Sequence, residues 1–206
     1  MTVLRTIGEV VELVGRARGD ARLVVGIAGA PGSGKSTIAA QVVERLGSGA
    51  ALVGMDGFHL PQSRLVQLGR RDRMGAADTF DVDAFAATLA ALRFSGGSVL
   101  APGFDREIEE AIPDAITIAP EKRIVVVEGN YLLHDADGWD RVAPLIDLSF
   151  FVRVDRDIRL RRLIERHVRF GKTPDAAAAW ATGPDETNAR LIDGAAGRAD
   201  HGIRLD

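Results

Sequence analysis

The residues best placed to do chemistry are Gly29-Ala30-Pro31-Gly32-Ser33-Gly34-Lys35-Ser36-Thr37, directly after the apolar stretch Leu23-Val24-Val25-Gly26-Ile27-Ala28 and before Ile38-Ala39-Ala40-Gln41-Val42-Val43. The small residues let the backbone bend so that successive N–H groups point inward at polyphosphate oxygens, and the helix that follows adds its positive end. Lys35 then reaches the β- and γ-phosphates, and the Ser36 hydroxyl completes the coordination of Mg²⁺. Strand, loop and helix agree, so the chain is expected to bind a nucleoside triphosphate.

Two carboxylates are candidates for the rest of the chemistry. Ile124-Val125-Val126-Val127 leads into Glu128-Gly129-Asn130, and an acid at the end of such a strand lies beside the phosphate loop, where it holds Mg²⁺ directly or through water. An ordinary strand-terminal carboxylate is the alternative. Asp56 ends the run Ala51-Leu52-Val53-Gly54-Met55 and points at the same crevice, where it can accept the proton of an attacking hydroxyl. Asp-Gly is also a common turn dipeptide, and spacing alone serves both readings equally.

These residues need a scaffold, and strand-like and helix-like segments alternate to supply one. Apolar residues at helical spacing make 2–18 read as a helix leading into a strand at 22–28. A helix at 35–46, strands at 51–55, 123–129 and 148–154, and a short last strand at 203–205 follow. Asp81 is placed to cap a helix over 82–94 with Phe85, Leu89 and Leu92 on one face. The pattern predicts an α/β fold with a central, mostly parallel sheet and ligands at the carboxyl ends of its strands.

Composition bounds the rest. The 206 residues are 46% hydrophobic and 27% charged, with a net charge of −3 and no cysteine. Neither a disulfide framework nor a thiolate zinc site is possible, which fits a reducing cytoplasm. The weak negative charge argues against a general nucleic-acid surface, and no stretch has the length and apolarity of a membrane span. The amphipathic start, with Glu9 and Glu12, lacks the apolar core of a signal peptide. One domain over 1–206 is expected.

Together the phosphate loop, Met55-Asp56-Gly57-Phe58-His59-Leu60-Pro61, Thr79-Phe80-Asp81, Pro102-Gly103-Phe104-Asp105-Arg106, Val127-Glu128-Gly129-Asn130-Tyr131-Leu132-Leu133 and the Arg-rich segment from Asp157 resemble the phosphoribulokinase, uridine kinase and bacterial pantothenate kinase superfamily. Within it, they are most similar to small bacterial kinases described as fructose transport system kinases or as nucleoside and pantothenate kinase-like proteins. The resemblance implies a three-layer P-loop NTPase fold with a helical lid, at about 156–183 here. It makes Asp56 the catalytic aspartate and Glu128 the metal acid, and it makes Arg162 and Arg166 lid arginines over the phosphates, a solvated basic face being the alternative. Helical spacing puts Arg159, Arg162, Arg166 and Arg169 on one face, and Leu160, Leu163, Ile164 and His167 on another. Asp185, Asn188 and Ala189 resemble a C-terminal segment of such kinases, although Pro184 replaces its first Asn.

Departures bear on the substrate. Arg73-Met74-Gly75-Ala76-Ala77-Asp78-Thr79-Phe80-Asp81 matches a pantothenate kinase stretch except that Met74 and Ala77 replace its Lys and Pro, which counts against a pantothenate site. Arg64, Arg70, Arg71 and Arg73 suit either an anionic group or a solvated loop. Phe58, Phe104 and Tyr131 suit either a wall for a base or sugar, or the core; His59 either meets the acceptor or is structural. The expectation is an ATP- and Mg²⁺-dependent kinase acting on a hydroxyl of a small metabolite: a sugar such as fructose, a nucleoside or a pantothenate-like alcohol. Its phosphate-binding residues are Gly29 to Thr37 with Arg162 and Arg166, its metal residues Ser36 and Glu128, its catalytic residues Lys35, Asp56 and Arg166, and its acceptor residues Asp56, His59, Arg73, Phe104, Asp105 and Tyr131. No nucleic-acid or membrane partner is expected, and a homodimer is compatible with the sequence. A GTPase would need an Asn-Lys-x-Asp segment and a transporter ATPase a Leu-Ser-Gly-Gly-Gln run, and the chain has neither. A regulatory or chaperone-type P-loop ATPase without a small-molecule acceptor is the alternative.

Overall fold

The apolar runs of the sequence settle side by side. In the computed structural model, which describes residues 1–205, the strands are β1 (Thr2–Leu4), β2 (Leu23–Gly29), β3 (Ala50–Gly54), β4 (Val99–Asp105), β5 (Glu110–Ile118), β6 (Ile124–Gly129), β7 (Leu148–Val152) and β8 (His201–Ile203). Six of them form a parallel sheet in the order β1-β8-β7-β2-β6-β3, and β4 and β5 pair as a separate antiparallel ribbon. Every residue of β2 and β6 is buried, as expected of parallel strands covered on both faces.

Side chains alternate across each strand, so the sheet serves two cores. On one face Val25, Ile27, Val126 and Phe150 meet Val10 and Val14 of helix α1 (Ile7–Ala17) and Ile38 and Val42 of α2 (Lys35–Leu46). On the other, Val24, Val125, Val127 and Phe151 share a core with Phe85, Leu89 and Leu92. Those three come from α4 (Val82–Phe94), which follows the short α3 (Gln62–Gln67). Asp81 caps α4 as expected, its Oδ1 accepting from Ala84 N at 2.9 Å.

Register brings the chemical residues together. Ile27 pairs with Glu128 across β2 and β6, and Gly54 pairs with Glu128 across β3 and β6. The phosphate loop, Asp56 and Glu128 therefore leave the sheet at one rim, the carboxyl ends of adjacent strands. Three further helices, α5 (Arg156–Arg169), α6 (Pro174–Thr182) and α7 (Pro184–Gly194), follow β7. Among the described residues no helix is long and apolar enough to cross a membrane.

Two elements differ from the sequence expectation. The continuous helix over 2–18 is instead a strand and a helix, because Thr6 Oγ1 accepts from Glu9 N at 3.2 Å while Glu9 Oε2 accepts from Thr6 N at 3.0 Å. This reciprocal cap starts α1 at Ile7 and frees Thr2–Leu4 to pair with His201–Ile203. The β4–β5 ribbon was not anticipated. Its register shifts between Ala101 and Gly103, at Pro102, which has no N–H to give the ladder. A Cβ on Gly57 would stand 2.4 Å from the Pro102 carbonyl oxygen. Only glycine therefore lets the ribbon lie against the turn that carries Asp56.

Candidate active site

The phosphate loop is shaped by its own backbone and by α5. Gly32 and Gly34 adopt φ of +78° and +89°, the left-handed region that glycine enters without strain. A Cβ on Gly32 would meet Leu163 Cγ at 2.7 Å and the Arg159 carbonyl oxygen at 2.8 Å. Lys35 and Ser36 then open α2. Lys35 is buried, and burial lowers its pKa while Glu128 and Asp56 oppose the shift.

Ser36 Oγ donates to Glu128 Oε1 at 3.0 Å. Burial raises the pKa of Glu128, Lys35 opposes this, and Asp56 adds to the rise. No group of three or more His, Cys, Asp or Glu among the described residues is arranged as a complete metal cage. One hydroxyl and one carboxylate side by side next to a phosphate loop fit Mg²⁺, which keeps several waters and shares its shell with phosphate oxygens.

Asp56 stands in a single turn of 3₁₀-helix, Met55–Phe58, immediately after β3. Asp-Gly does form a turn, and that turn sets Asp56 in the lining of the cleft. Arg106 Nη2 donates to Asp56 Oδ2 at 2.5 Å. Burial pushes the Asp56 pKa up, but Arg106 foremost, then His59, Lys35 and Arg166, hold it below the ordinary value. His59 bonds the Asp56 carbonyl oxygen through Nδ1 at 2.9 Å and lies against Phe80 and Phe104, with ring centroids 3.9 and 5.0 Å away. Burial lowers its pKa, which favours the neutral imidazole.

The cleft above these groups measures about 130 Å³, the scale of a small molecule. Lys35, Ser36 and Asp56 lie at its base, His59, Phe80 and Phe104 form one wall, and Arg166, His167, Phe170 and Trp180 form the other. His167 Nε2 lies 2.8 Å from Asp185 Oδ2, tying α5 to α7. Lys172 Nζ sits 4.6 Å above the Trp180 ring. Arg166 is half-buried; burial and then Arg106 lower its pKa, with Asp185, Asp56 and Glu128 opposing. Arg162 is exposed, with Nη1 3.4 Å from where a Cβ on Gly34 would stand, at the edge of the phosphate loop.

Helical spacing misplaces two residues of α5. Arg159 does not join an exposed phosphate-facing row. It is buried beneath the loop, where it pairs with Glu186 and its Nη1 approaches the Pro31 carbonyl oxygen at 3.5 Å. His167, assigned to the opposite packing face, lines the cleft.

Among the acceptor candidates the structure brings Asp56, His59 and Phe104 to the cleft and leaves out three others. Arg73 is exposed and forks onto Asp78 at 2.5 and 2.7 Å. Asp105 turns back to accept from Glu107 N at 2.8 Å in the ribbon's loop. Tyr131 is fully buried, its hydroxyl donating to the Gly75 carbonyl oxygen at 2.8 Å and its ring packed on Trp139. Phe58 is likewise core, edge-on to Phe85. Of the four loop arginines only Arg71 lines the cleft, paired with Glu109 at 2.5 Å. Sequence reasoning missed Arg106, although Pro102-Gly103-Phe104-Asp105-Arg106 had been singled out. It also missed Trp180, whose alanine-rich surroundings carry no signal of a site.

A phosphate loop facing a carboxylate across a cleft, on a parallel sheet and beneath two helices, is the architecture of a P-loop kinase. The phosphoribulokinase/uridine kinase family model matches residues 24–178, and the chain belongs to that family. It is 32% identical over 148 residues to the uridine kinase of Clostridium perfringens strain ATCC 13124, covering 71% of this chain and 68% of that one. ATP-dependent kinase-like protein notR' of Aspergillus versicolor is 40% identical over 133 residues, 61% of this chain and 77% of its own. The crystal structure of a "putative fructose transport system kinase" from Silicibacter sp. TM1040 superposes with a TM-score of 0.89 at 37% identity, covering 97% of this chain and 99% of that one. The chain is therefore an ATP-dependent kinase, a phosphotransferase with a hydroxyl acceptor.

Proposed function

We propose that the acceptor is a small uncharged polyol, a sugar or a nucleoside, and that Asp56 is the base that receives its proton. The observation that carries this is the pairing of charges in the cleft. Away from the phosphate-facing Lys35 and Arg166, each side-chain cation on the walls already has a partner. Arg106 is held by Asp56, Arg71 by Glu109, and Lys172 by the face of Trp180. A carboxylate such as that of pantothenate or glycerate could pair with Arg106 or Arg71 only by standing beside the acid it displaced, Asp56 or Glu109, and would be desolvated at a cost. Hydroxyl groups meet hydrogen-bonding groups on every wall, and the flat faces of His59, Phe104 and Trp180 suit a sugar or base ring.

In this reading the loop amides and Lys35 stabilise charge growing on the β–γ bridge. Ser36 and Glu128 would hold Mg²⁺, which when bound would supply positive charge against that of the nucleotide. Arg162 and Arg166 close the lid of α5 and α6 over the nucleotide and exclude water. Asp56, kept ionised by its cationic neighbours, accepts the proton of the acceptor hydroxyl as its oxygen bonds to the γ-phosphorus.

ADP release is to be measured with ATP and Mg²⁺ against fructose, uridine, pantothenate and D-glycerate, with the phosphorylated product identified. Stimulation by fructose or uridine, and none by the two acids, is the expected outcome. Phosphorylation of pantothenate or glycerate in preference to both neutral compounds would overturn the assignment.

A further inference from the structure

The Arg106–Asp56 pair poses a question that phosphoryl transfer alone does not answer. A base that is to take a hydroxyl proton must aim a lone pair at the acceptor, and Arg106 Nη2, bonded to Asp56 Oδ2 at 2.5 Å, holds the carboxylate in one orientation. This is a charge-assisted bond, among the stronger contacts a side chain makes. Arg106 is also the more exposed partner, 40% against 27% for the Asp56 side chain. It follows β4 directly, in the loop to β5, and its guanidinium carbon lies 5.8 Å from the Phe104 ring centroid on the acceptor wall. One side chain thus touches both the proposed base and the surface against which an acceptor would rest.

We propose that Arg106 is a positioning residue that fixes the Asp56 carboxylate in an orientation unproductive for attacking water and lets it turn into line only when an acceptor takes over the guanidinium. The proposal rests on the reading of Asp56 as the base. Water reaching the cleft brings one small dipole and cannot replace a charge-assisted bond. An acceptor brings several hydroxyl groups, and those not reacting can accept from Arg106 as it leaves the carboxylate. The reaction thereby suppressed is hydrolysis: water oxygen bonds to the γ-phosphorus, the bond to the β–γ bridging oxygen breaks with its electron pair going to ADP, and the water proton passes to Asp56. Binding energy of the correct acceptor is used to assemble the site, so water, far more concentrated, is rejected.

The other groups facing Asp56 do not supply this control. Lys35 and Arg166 act on it through charge, with no hydrogen bond to its carboxylate; His59 binds its backbone carbonyl oxygen rather than the carboxylate. Arg106 alone both bonds the carboxylate and stands on the acceptor side.

The test needs no identified acceptor, because the probe is ATP with Mg²⁺ in water. Acceptor-free ADP release is measured for the wild type, Arg106→Gln, Arg106→Lys, Asp56→Asn and the double variant Asp56→Asn/Arg106→Gln, with circular dichroism confirming the fold. Arg106→Gln should raise acceptor-free hydrolysis about tenfold, the scale expected when an exclusion device is lost. Arg106→Lys should restore part of the suppression, and the double variant should show none of the rise. No rise in folded Arg106→Gln overturns the proposal and leaves Asp56 as base untouched. A rise that persists in the double variant also overturns it, since Arg106 would then act elsewhere than on Asp56. Failure of the base assignment itself is read separately, as normal acceptor phosphorylation by Asp56→Asn.

Discussion

Ser36 and Glu128, 92 positions apart, share a hydrogen bond of 3.0 Å at the mouth of the phosphate loop. It exists because parallel register sets Glu128 level with Ile27, the residue two places before the loop begins. Glu128→Gln keeps the shape and removes the charge. It should raise the Mg²⁺ concentration for half-maximal rate by about tenfold or more, in line with the loss of one carboxylate from a site that has only one. The melting temperature without ligand should hold or rise, because burial raises the Glu128 pKa and so penalises its charged form in the folded state. A magnesium titration of rate checks the first part and a thermal melt the second.

Asp56→Asn should lower kcat by about 10²–10⁴-fold, the range for loss of a positioned base, while the affinity for ATP with Mg²⁺ stays nearly constant. The pH profile carries the sign. Because Arg106 and its neighbours hold the Asp56 pKa down against burial, the wild-type base stays ionised as pH falls through the ordinary carboxyl range. In Arg106→Gln the acid limb of kcat should move to higher pH. Collapse of nucleotide binding in Asp56→Asn would make Asp56 a metal or structural residue instead.

Arg166→Ala should reduce kcat/KM by a factor of about ten or more and increase the share of ATP lost to water, as for other lid contacts. No change in melting temperature is expected. Measuring product and total ADP in one reaction decides it, and unchanged rate with unchanged coupling would remove Arg166 from the lid.

Glu186 is the anchor of α5, bonded to Arg159 and to Arg156 Nε at 2.8 Å. Its pKa is lowered by the bond from Arg156 first, with burial opposing and Arg159 assisting. The stability it contributes is therefore complete above the unfolded carboxyl value of 4.5 and is lost as pH falls through the lower folded value. Glu186→Gln should cost about 3–5 kcal/mol at pH 7, because Arg159 is left buried without its charge partner. Denaturant titrations of both proteins from pH 7 to pH 3 should show the gap narrowing only in the acid.

Gly57→Ala places a methyl group against the Pro102 carbonyl. Backbone must move, at about 1–3 kcal/mol, and the ribbon carrying Phe104 and Arg106 moves with it. Activity should fall more than stability. A variant with full activity would show that the ribbon does not set the acceptor wall.

The phosphate loop, both carboxylates and the α4 cap were legible in the sequence because each depends on neighbours within one strand–turn–helix unit. What escaped depends on partners far along the chain. Arg159 obeys the same helical spacing as Arg162 and Arg166, and only the distant Glu186 draws it under the loop. Tyr131 looked like a pocket wall until Gly75 and Trp139 closed over it. The cap at Thr6 could have been read, since Thr-x-x-Glu is a capping box, but apolar spacing running through it masked the break. The ribbon hid because its two prolines weaken an alternating strand pattern.

The sheet order also sets the sequence in which the protein can be completed. β1 stands at one edge and bonds only to β8 within the sheet, which in turn bonds to β7. β1 thus has no docking site in the sheet until β8 has been made and laid down. While a chain is being translated, the sheet from β7 to β3 can assemble around the nucleotide loop, but Thr2–Leu4 waits as an unpaired edge for the whole interval. Contacts that span the full chain form slowly, and an unsatisfied strand recruits foreign partners. The vulnerable interval for this kinase is therefore the one before β8 is in place, when another molecule can supply the partner that β1 lacks.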